Sequence, residues 1–146
     1  MIRIQWLLRR KPGITFEQFR KHYETSHAIL GERYFGHLML AYRRNYVLPP
    51  ECAASPAMRR VLDAKGWDYD CIAEWDLRDA SAFDQVVAML SDPTIGKIFH
   101  DDEEHFLDRG SVRLVLCDQR ETDTSASVPP TLEGELGSGA NALWNT

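Results

Sequence analysis

Apolar and polar residues alternate at the start of the chain, and this pattern predicts a β-strand over residues 2–8. Successive side chains of a strand point to opposite faces, so one face of this strand would be apolar and half-buried. Pro12 and Gly13 form a turn signal that ends it. The residues predicted to share its apolar face are Ile2, Ile4, Trp6 and Leu8.

A helix is predicted to follow, because apolar residues then recur at spacings of three and four. Thr15 would be its N-cap, and Gln18, three residues later, completes the pattern of a capping box. Gly31 is expected to end the helix, since glycine is common just past a helix C-terminus. The stripe that would face the core consists of Phe16, Phe19, Tyr23, His27 and Leu30.

Three further strands are predicted from their β-branched, aromatic and alternating residues. Pro49 and Pro50 end the second strand, because proline has no N–H for a β-ladder. Residues 49–68 are expected to be irregular, apart from a short helix near 56–64. The predicted strands cover residues 37–48, Tyr69–Leu77 and Ser111–Cys117.

Two more helices are predicted between the third and fourth strands. Asp79 or Ser81 would cap the first of them, and Ser91, Asp92 and Pro93 separate it from the second. The apolar stripe of the first helix consists of Phe83, Val86, Val87 and Leu90, and the second helix is indicated by the spacing of Ile95, Phe99, Asp102 and Phe106.

The element order β-α-β-β-α-β is that of the ferredoxin-like plan. It predicts an α+β fold in which one four-stranded antiparallel sheet carries helices on a single face. The first and last strands have apolar residues on both faces, so the face without helices also needs cover. A second copy of the chain would supply it, which predicts a C2 homodimer.

One domain is expected over residues 1–119. Residues 120–146 are rich in serine, threonine, proline, glycine and acids, a composition typical of a disordered terminus. Because Leu143 and Trp144 are large apolar residues in this polar segment, we predict instead an extended arm that docks through them.

Charge and composition exclude several classes of protein. The chain has 22 acidic and 17 basic residues among its 146, whereas nucleic-acid binders usually carry a basic surplus. No apolar run approaches the roughly 18 residues that span a bilayer, so no membrane association is expected. The three cysteines form no CxxC pair, which favours a reducing, cytoplasmic location over a disulfide framework.

His27 is the strongest candidate for chemistry, because it lies on the apolar stripe of the first helix. It is either a core histidine bonded to a neighbour or an acid/base group in a hydrophobic pocket. His22, at the edge of the same stripe, favours the structural interpretation more strongly, and His37 would be a turn residue or line the same pocket. His100 and His105 are five residues apart, which does not suit metal ligands on a helix, so no metal site is expected.

Glu74 is a carboxylate in the middle of a central strand, where burial is costly without a partner. It would either form a salt bridge to Arg113 or Arg43 or act as a general acid or base. The apolar alternation of its strand favours a position on the face away from the helices. Tyr42 and Tyr46 share one face of the second strand and could direct their hydroxyls into one cavity.

Three stretches of the sequence resemble the EthD family, and are similar to the neighbouring methylmuconolactone methylisomerases. Both groups belong to the dimeric α+β barrel superfamily. The resemblance covers residues 1–119 apart from about 49–68, which it implies to be an insertion in the domain. The stretches are MIRIQWLLRRKPGITFEQFRKHYETSHAIL, YDCIAEWDLRDASAF and EEHFLDRG.

The resemblance implies functional roles for three residues. The family's helix-end histidine corresponds to His27, its second-strand tyrosine to Tyr42, and its strand glutamate to Glu74. Tyr46 stands where a histidine is usual in the family. A histidine and a tyrosine at the first two positions are implicated in proton handling by the isomerases.

We therefore expect a small cofactor-independent lyase or isomerase that acts on a hydrophobic, ring-bearing metabolite, such as an aromatic compound or a lactone. The alternatives are a monooxygenase of the same superfamily, cofactor-free or haem-linked, and a non-catalytic accessory protein of an oxygenase system. The residues expected to line the substrate cavity are Trp6, Phe19, His37 and Tyr46.

Overall fold

A computed structural model describes residues 1–62 and 68–131 of the chain. Its strands are β1 (Ile2–Leu8), β2 (Met39–Tyr46), β3 (Cys71–Leu77) and β4 (Arg113–Cys117). Its α-helices are α1 (Phe16–His22), α2 (Ala28–Phe35), α3 (Pro56–Val61), α4 (Ala80–Ser91) and α5 (Pro93–Glu103). A π-helical turn, Tyr23–His27, joins α1 to α2.

The four strands form one antiparallel sheet in the order β2-β3-β1-β4, which confirms the predicted α+β fold. Strand β1 lies in the middle, where Trp6 pairs with Ala73 of β3 and with Leu114 of β4. In the pairing of β2 with β3, Tyr42 lies opposite Trp75, and so faces the same side of the sheet. This register places the aromatic residues of three strands under the helices.

The hydrophobic core lies between the helices and one face of the sheet. The even-numbered residues of β1 and the odd-numbered residues of β3 point into it, as the alternation predicts. We call this the helix-covered face and its opposite the outer face. The largest fully buried core side chains are Phe19, Tyr23, Phe35, Phe106, Ile4, Leu38 and Leu77.

The first helical segment begins as the sequence predicts and ends later. The Thr15 hydroxyl accepts from the backbone N–H of Gln18, whose side chain accepts from the N–H of Thr15, so the capping box is complete. The prediction that Gly31 ends the helix is wrong, because α2 continues to Phe35. Gly31 is buried within the helix instead of lying at its end.

Local capping also sets the starts of the two later helices. Asp79, not Ser81, is the N-cap of α4, since its carboxylate accepts from the N–H of Ala82. Asp92 caps α5 by accepting from the N–H groups of Thr94 and Ile95, with Pro93 at the first helical position.

The described parts of the predicted insertion and of the segment after β4, residues 49–62 and 118–131, are largely exposed. Helix α3 begins within the predicted range and buries none of its residues. Residues 118–131 are exposed and form no helix or strand. Leu143 and Trp144, predicted to anchor a C-terminal arm, lie outside the described residues. No helix in the described part of the chain is long and apolar enough to cross a membrane.

Candidate functional site

A cavity of about 420 Å³ lies between the helices and the helix-covered face of the sheet. This volume is in the range of small-molecule sites. Most of its wall is aromatic or aliphatic, and His27 is the histidine in it. The aromatic residues that line it are Trp6, Tyr23, Phe35, Tyr42, Trp75 and Phe99.

His27 ends the π-helical turn, at the point where the chain re-enters an ordinary α-helix. In this turn the N–H of Ala28 donates to the carbonyl of Tyr23, five residues back. Such turns rotate the following side chains relative to a regular helix and are frequent at functional sites. Here the turn contains Tyr23 and His27, which both line the cavity.

The His27 ring is oriented by Asp102 of α5. Its Nδ1 lies 2.8 Å from Oδ2 of Asp102, and the two side chains are only 14% and 8% exposed. The rings of Tyr23, Phe99 and Phe106 surround the imidazole at centroid distances of 5.1, 5.9 and 5.0 Å. The histidine is therefore held in one orientation by a hydrogen bond and by packing.

Asp102 is a shared acceptor. Its other oxygen, Oδ1, accepts from the Ser26 hydroxyl at 2.5 Å and lies 2.9 Å from Nε2 of His22. Burial works to raise the pKa of Asp102, but the hydrogen bonds from His27, Ser26 and His22 outweigh it and hold the pKa at about 2. The carboxyl group is therefore an anion at neutral pH.

The charge of Asp102 fixes the tautomer of His27. A carboxylate only accepts hydrogen bonds, so the Nδ1 atom of His27 must carry the proton that is shared with it. In the neutral ring, Nε2 is then the unprotonated nitrogen. Within residues 1–62 and 68–131, Nε2 has no hydrogen-bond partner, so its lone pair is free to accept a proton from a bound molecule.

Tyr42 supplies a hydroxyl to the same cavity. Its oxygen lies 3.1 Å from the hydroxyl oxygen of Tyr23, and burial raises the pKa of Tyr42 to about 12. Burial also raises the pKa of Tyr23 well above its ordinary value. Both phenols are therefore protonated at neutral pH, and the pair can donate a hydrogen bond to a ligand through one hydroxyl.

A pair of partly exposed charged residues completes the cavity lining. Arg109, in the turn before β4, donates from Nε to Oε2 of Glu103 at 2.8 Å. Their side chains are 43% and 22% exposed, so these charges lie where the cavity meets solvent. The inner wall is apolar, and the two charges neutralise each other at the edge.

The other predicted lining residues take different positions. Trp6 lines the cavity, whereas Phe19 and Tyr46 pack with Tyr23 in the neighbouring part of the core, outside the cavity wall. The hydroxyl of Tyr46 donates to Oε1 of Glu24 at 2.7 Å. His37 is exposed in the turn before β2 and is not part of the wall.

Glu74 lies on the outer face of the sheet, so the structure does not bring it together with His27 and Tyr42. Its carboxylate accepts from Gln5 and from Arg43, both at 3.0 Å, and lies 3.5 Å from Nε of Arg3. Of the two partners that the sequence suggested, the observed one is Arg43, whereas Arg113 donates to the carbonyl of Val112. Glu74 belongs to an ion-pair network that strand alternation separates from the cavity.

The remaining histidines are not in the cavity wall. His100 is exposed beside Asp101 and Glu104 on α5. His105 stacks on His22 at a centroid distance of 5.4 Å. No cluster of three or more metal-ligating side chains occurs in the part of the chain that the structure describes.

Sequence reasoning missed Asp102 as a site residue, although its position among apolar residues at helical spacing indicated a buried carboxylate. Asp102 recurs at helical spacing between the apolar residues Phe99 and Phe106, and a carboxylate at such a position needs a partner. It lies within the acidic run HDDEEH, which favours the interpretation of a solvated helix face. Ser26 and Tyr23 were also missed as site residues, because only the fold brings them to Asp102 and Tyr42.

The sheet order and the single helix-covered face define a ferredoxin-like α+β fold, and the cavity lies between the helices and that face. A model of the EthD domain matches residues 11–110, and the chain belongs to the EthD family. No protein with a curated description matches its sequence significantly.

Solved structures agree with this assignment at the level of the fold. The crystal structure of At3g17210 from Arabidopsis thaliana is 15% identical, with a TM-score of 0.54 over 84% of this chain and 99% of that one. An EthD family protein from Bacillus halodurans is 18% identical, with a TM-score of 0.53 over 82% of this chain and 100% of that one.

Proposed function

We propose that the protein is a cofactor-independent lyase or isomerase that moves a proton on a small, hydrophobic, ring-bearing compound. The observation that carries this proposal is the hydrogen bond from His27 to the Asp102 anion, at the wall of an apolar cavity. It makes Nε2 the basic atom of the ring and keeps it in a fixed orientation. Acid/base histidines are commonly oriented in this way by a carboxylate.

In the proposed reaction, Nε2 of His27 accepts a proton from an acidic carbon or hydroxyl of the substrate. The imidazolium that forms is stabilised by the Asp102 anion, which lies against the opposite ring nitrogen. The same Nε2–H then returns the proton to another atom of the substrate or to a leaving group. A positioned general base of this kind contributes about 10²–10⁴-fold to the rate.

Tyr42 is proposed to stabilise the negative charge that develops on a substrate oxygen. With a pKa of about 12, the hydroxyl keeps its proton at neutral pH and donates it as a hydrogen bond. Tyr23 contacts this hydroxyl at 3.1 Å and can donate to it, which frees the Tyr42 proton for the substrate. Preorganised donors in a site of low polarity are an effective way to stabilise an oxyanion.

The cavity supports a neutral, ring-bearing substrate that carries at least one oxygen. Trp6, Trp75 and Phe99 give flat apolar surfaces, whereas charge is confined to the Glu103–Arg109 pair. An aromatic ketone, a phenol or a lactone has this combination of an apolar body and an acceptor oxygen. The open cavity beside His27 favours an enzyme over an accessory protein.

Exchange of substrate hydrogen for deuterium from solvent measures the proposed proton transfer directly, and the assay does not require the natural substrate. Ring-bearing ketones and lactones with a C–H next to the carbonyl group are incubated with the protein in D₂O, and loss of the signal of that C–H is followed by proton NMR. Catalysed exchange is expected for compounds that fit, and His27→Gln should reduce it by about 100-fold with the fold intact.

His100→Ala is the matched control, because this exposed histidine does not line the cavity, and its exchange rate should equal that of the wild type. Exchange that survives in His27→Gln at the wild-type rate would exclude His27 as the base. A Soret band on addition of haemin would favour the haem-linked monooxygenase instead.

A further inference from the structure

We infer that His22 is a positioning residue for the acid/base histidine: it holds one oxygen of Asp102 so that the other oxygen is presented to His27. This inference rests on the proposed role of His27 and adds a residue that does not line the cavity. Periodicity placed His22 only at the edge of the helix stripe and favoured a structural role for it.

The three side chains form one continuous array. Nε2 of His22 lies 2.9 Å from Oδ1 of Asp102, and Nδ1 of His27 lies 2.8 Å from Oδ2. Asp102 is an anion, so both histidines must donate, and each ring is restricted to a tautomer with a proton on the bonded nitrogen. The carboxylate is thus held from both sides.

His22 is itself held in place by stacking. Its ring stacks on Phe106, at a centroid distance of 4.8 Å and an angle of 26°, and on His105, at 5.4 Å and 7°. Its side chain is 25% exposed, so it lies between the buried carboxylate and solvent. The geometry makes His22 the outer support of Asp102, whereas His27 lies on the cavity side.

Removal of His22 changes the carboxylate in a defined way. Asp102 would keep Ser26 and His27 as donors but lose one hydrogen bond to its charged form, which favours protonation. With one donor fewer, the Asp102 carboxylate would accept more strongly from Nδ1 of His27, and this hydrogen bond would shorten. Among the described residues, the other titratable or charged groups that line the cavity beside His27 are Tyr23, Tyr42, Glu103 and Arg109, and His105 stacks on His22.

The test compares the full-length wild type with His22→Phe, His22→Gln and His105→Phe by NMR. Two quantities are measured: the titration of the Asp102 side-chain carbon, and the resonance of the proton on Nδ1 of His27, assigned by its loss in His27→Gln. In His22→Phe the pKa of Asp102 should rise from about 2, with about a tenfold fall in its acid dissociation constant. The Nδ1 proton should move downfield.

The other variants separate hydrogen bonding from packing. Glutamine can donate to Oδ1 of Asp102, so His22→Gln should resemble the wild type in both measurements. His105→Phe keeps an aromatic ring against His22 and removes the bond from Nδ1 of His105 to the carbonyl of Asp101, but no bond to the Asp102 carboxylate, so neither quantity should change. If His22→Phe does not fold, His22→Met takes its place as the apolar replacement.

Three results would overturn the inference. The first is an unchanged Asp102 titration and an unchanged Nδ1 proton in the apolar variant. The second is a change in His22→Gln as large as in His22→Phe, and the third is an equal change in His105→Phe. None of these measurements needs a substrate, so the support given by His22 can fail while the proposed role of His27 holds, or the reverse.

Discussion

At Gly31 the absence of a side chain allows the Tyr42 ring to lie directly against helix α2. A Cβ at this position would lie 3.2 Å from Cε1 of Tyr42 and 3.4 Å from its hydroxyl oxygen. The glycine is therefore explained by a close approach within the cavity wall and not by a helix end. Gly31 has a hydrogen atom where alanine would have a methyl group, and this leaves the space in which the hydroxyl of Tyr42, the candidate oxyanion donor, lies.

Gly31→Ala should change the site more than the stability. Alanine gains about 1 kcal/mol of helix propensity, which offsets much of the tight contact with the Tyr42 ring. The ring must move by a few tenths of an ångström, which disturbs its 3.1 Å contact with Tyr23. We expect a free energy of unfolding within about 1 kcal/mol of the wild type and deuterium exchange about tenfold slower.

Gly36→Ala is the control for this substitution, measured by the same denaturation and exchange assays. A Cβ at Gly36 would touch only the flexible Glu32 side chain, at 3.6 Å. It should leave exchange unchanged. Equal exchange rates in Gly31→Ala and the wild type would show that the position of Tyr42 does not matter for catalysis.

Asp76, on the outer face, should govern stability in acid. Hydrogen bonds from Arg3 lower its pKa, burial opposes this, and Arg43 lowers it further, which leaves a value of about 2. Because this folded-state pKa lies below the ordinary 3.8, the ionised carboxylate of Asp76 stabilises the folded protein, and this stabilisation is fully present above about pH 4. It is lost as the pH falls from about 4 towards 2.

Asp76→Asn is expected to lower the free energy of unfolding by about 3 kcal/mol at pH 7, because it leaves the buried Arg3 with a weaker partner. It should also reduce the loss of stability between pH 4 and 2, although Asp102 still titrates in that interval. Urea denaturation at several pH values measures both effects. Asp101→Asn, in an exposed pair with Lys97, should leave the free energy of unfolding nearly unchanged.

At the scale of elements, caps and strands follow local rules, so they could be predicted from the sequence. The Thr15 capping box and the alternation that places Glu74 away from the helices both depend on residues that are close in the chain. The π-helical turn and the contact from His27 to Asp102 depend on the packing of α5 against that turn. Those residues are 75 positions apart, and periodicity carries no information about such a contact.

Loss of the first cap tests how far local capping stabilises the segment that contains the site. Thr15→Ala removes an acceptor for the N–H of Gln18 and should lower the free energy of unfolding by about 1 kcal/mol. Ser55→Ala removes the same kind of cap from α3, which buries no residue, so its effect should be much smaller. Thermal and urea denaturation compare the two. Equal losses would mean that α3 is coupled to the core.

At the scale of the whole molecule, the described helices that contribute to the core all pack on one face of the sheet. The outer face carries the ion-pair network of Arg3, Arg43, Glu74 and Asp76, with apolar residues around it. Val115 of β4 is 38% exposed on this face. A four-stranded sheet with helices on one side needs cover on the other, which favours a second copy of the chain.

We therefore predict a C2 homodimer in which two outer faces pack together and bury on the order of 2,000 Å². Light scattering at micromolar concentration should give twice the 16.8 kDa mass of one chain. Val115→Lys places a charge on the outer face and should shift the protein towards monomer. Leu116→Lys is the control, because Leu116 is 74% exposed but points to the helix-covered side of the same strand. A folded wild-type monomer, or equal dissociation by both lysine variants, would contradict packing through the outer face.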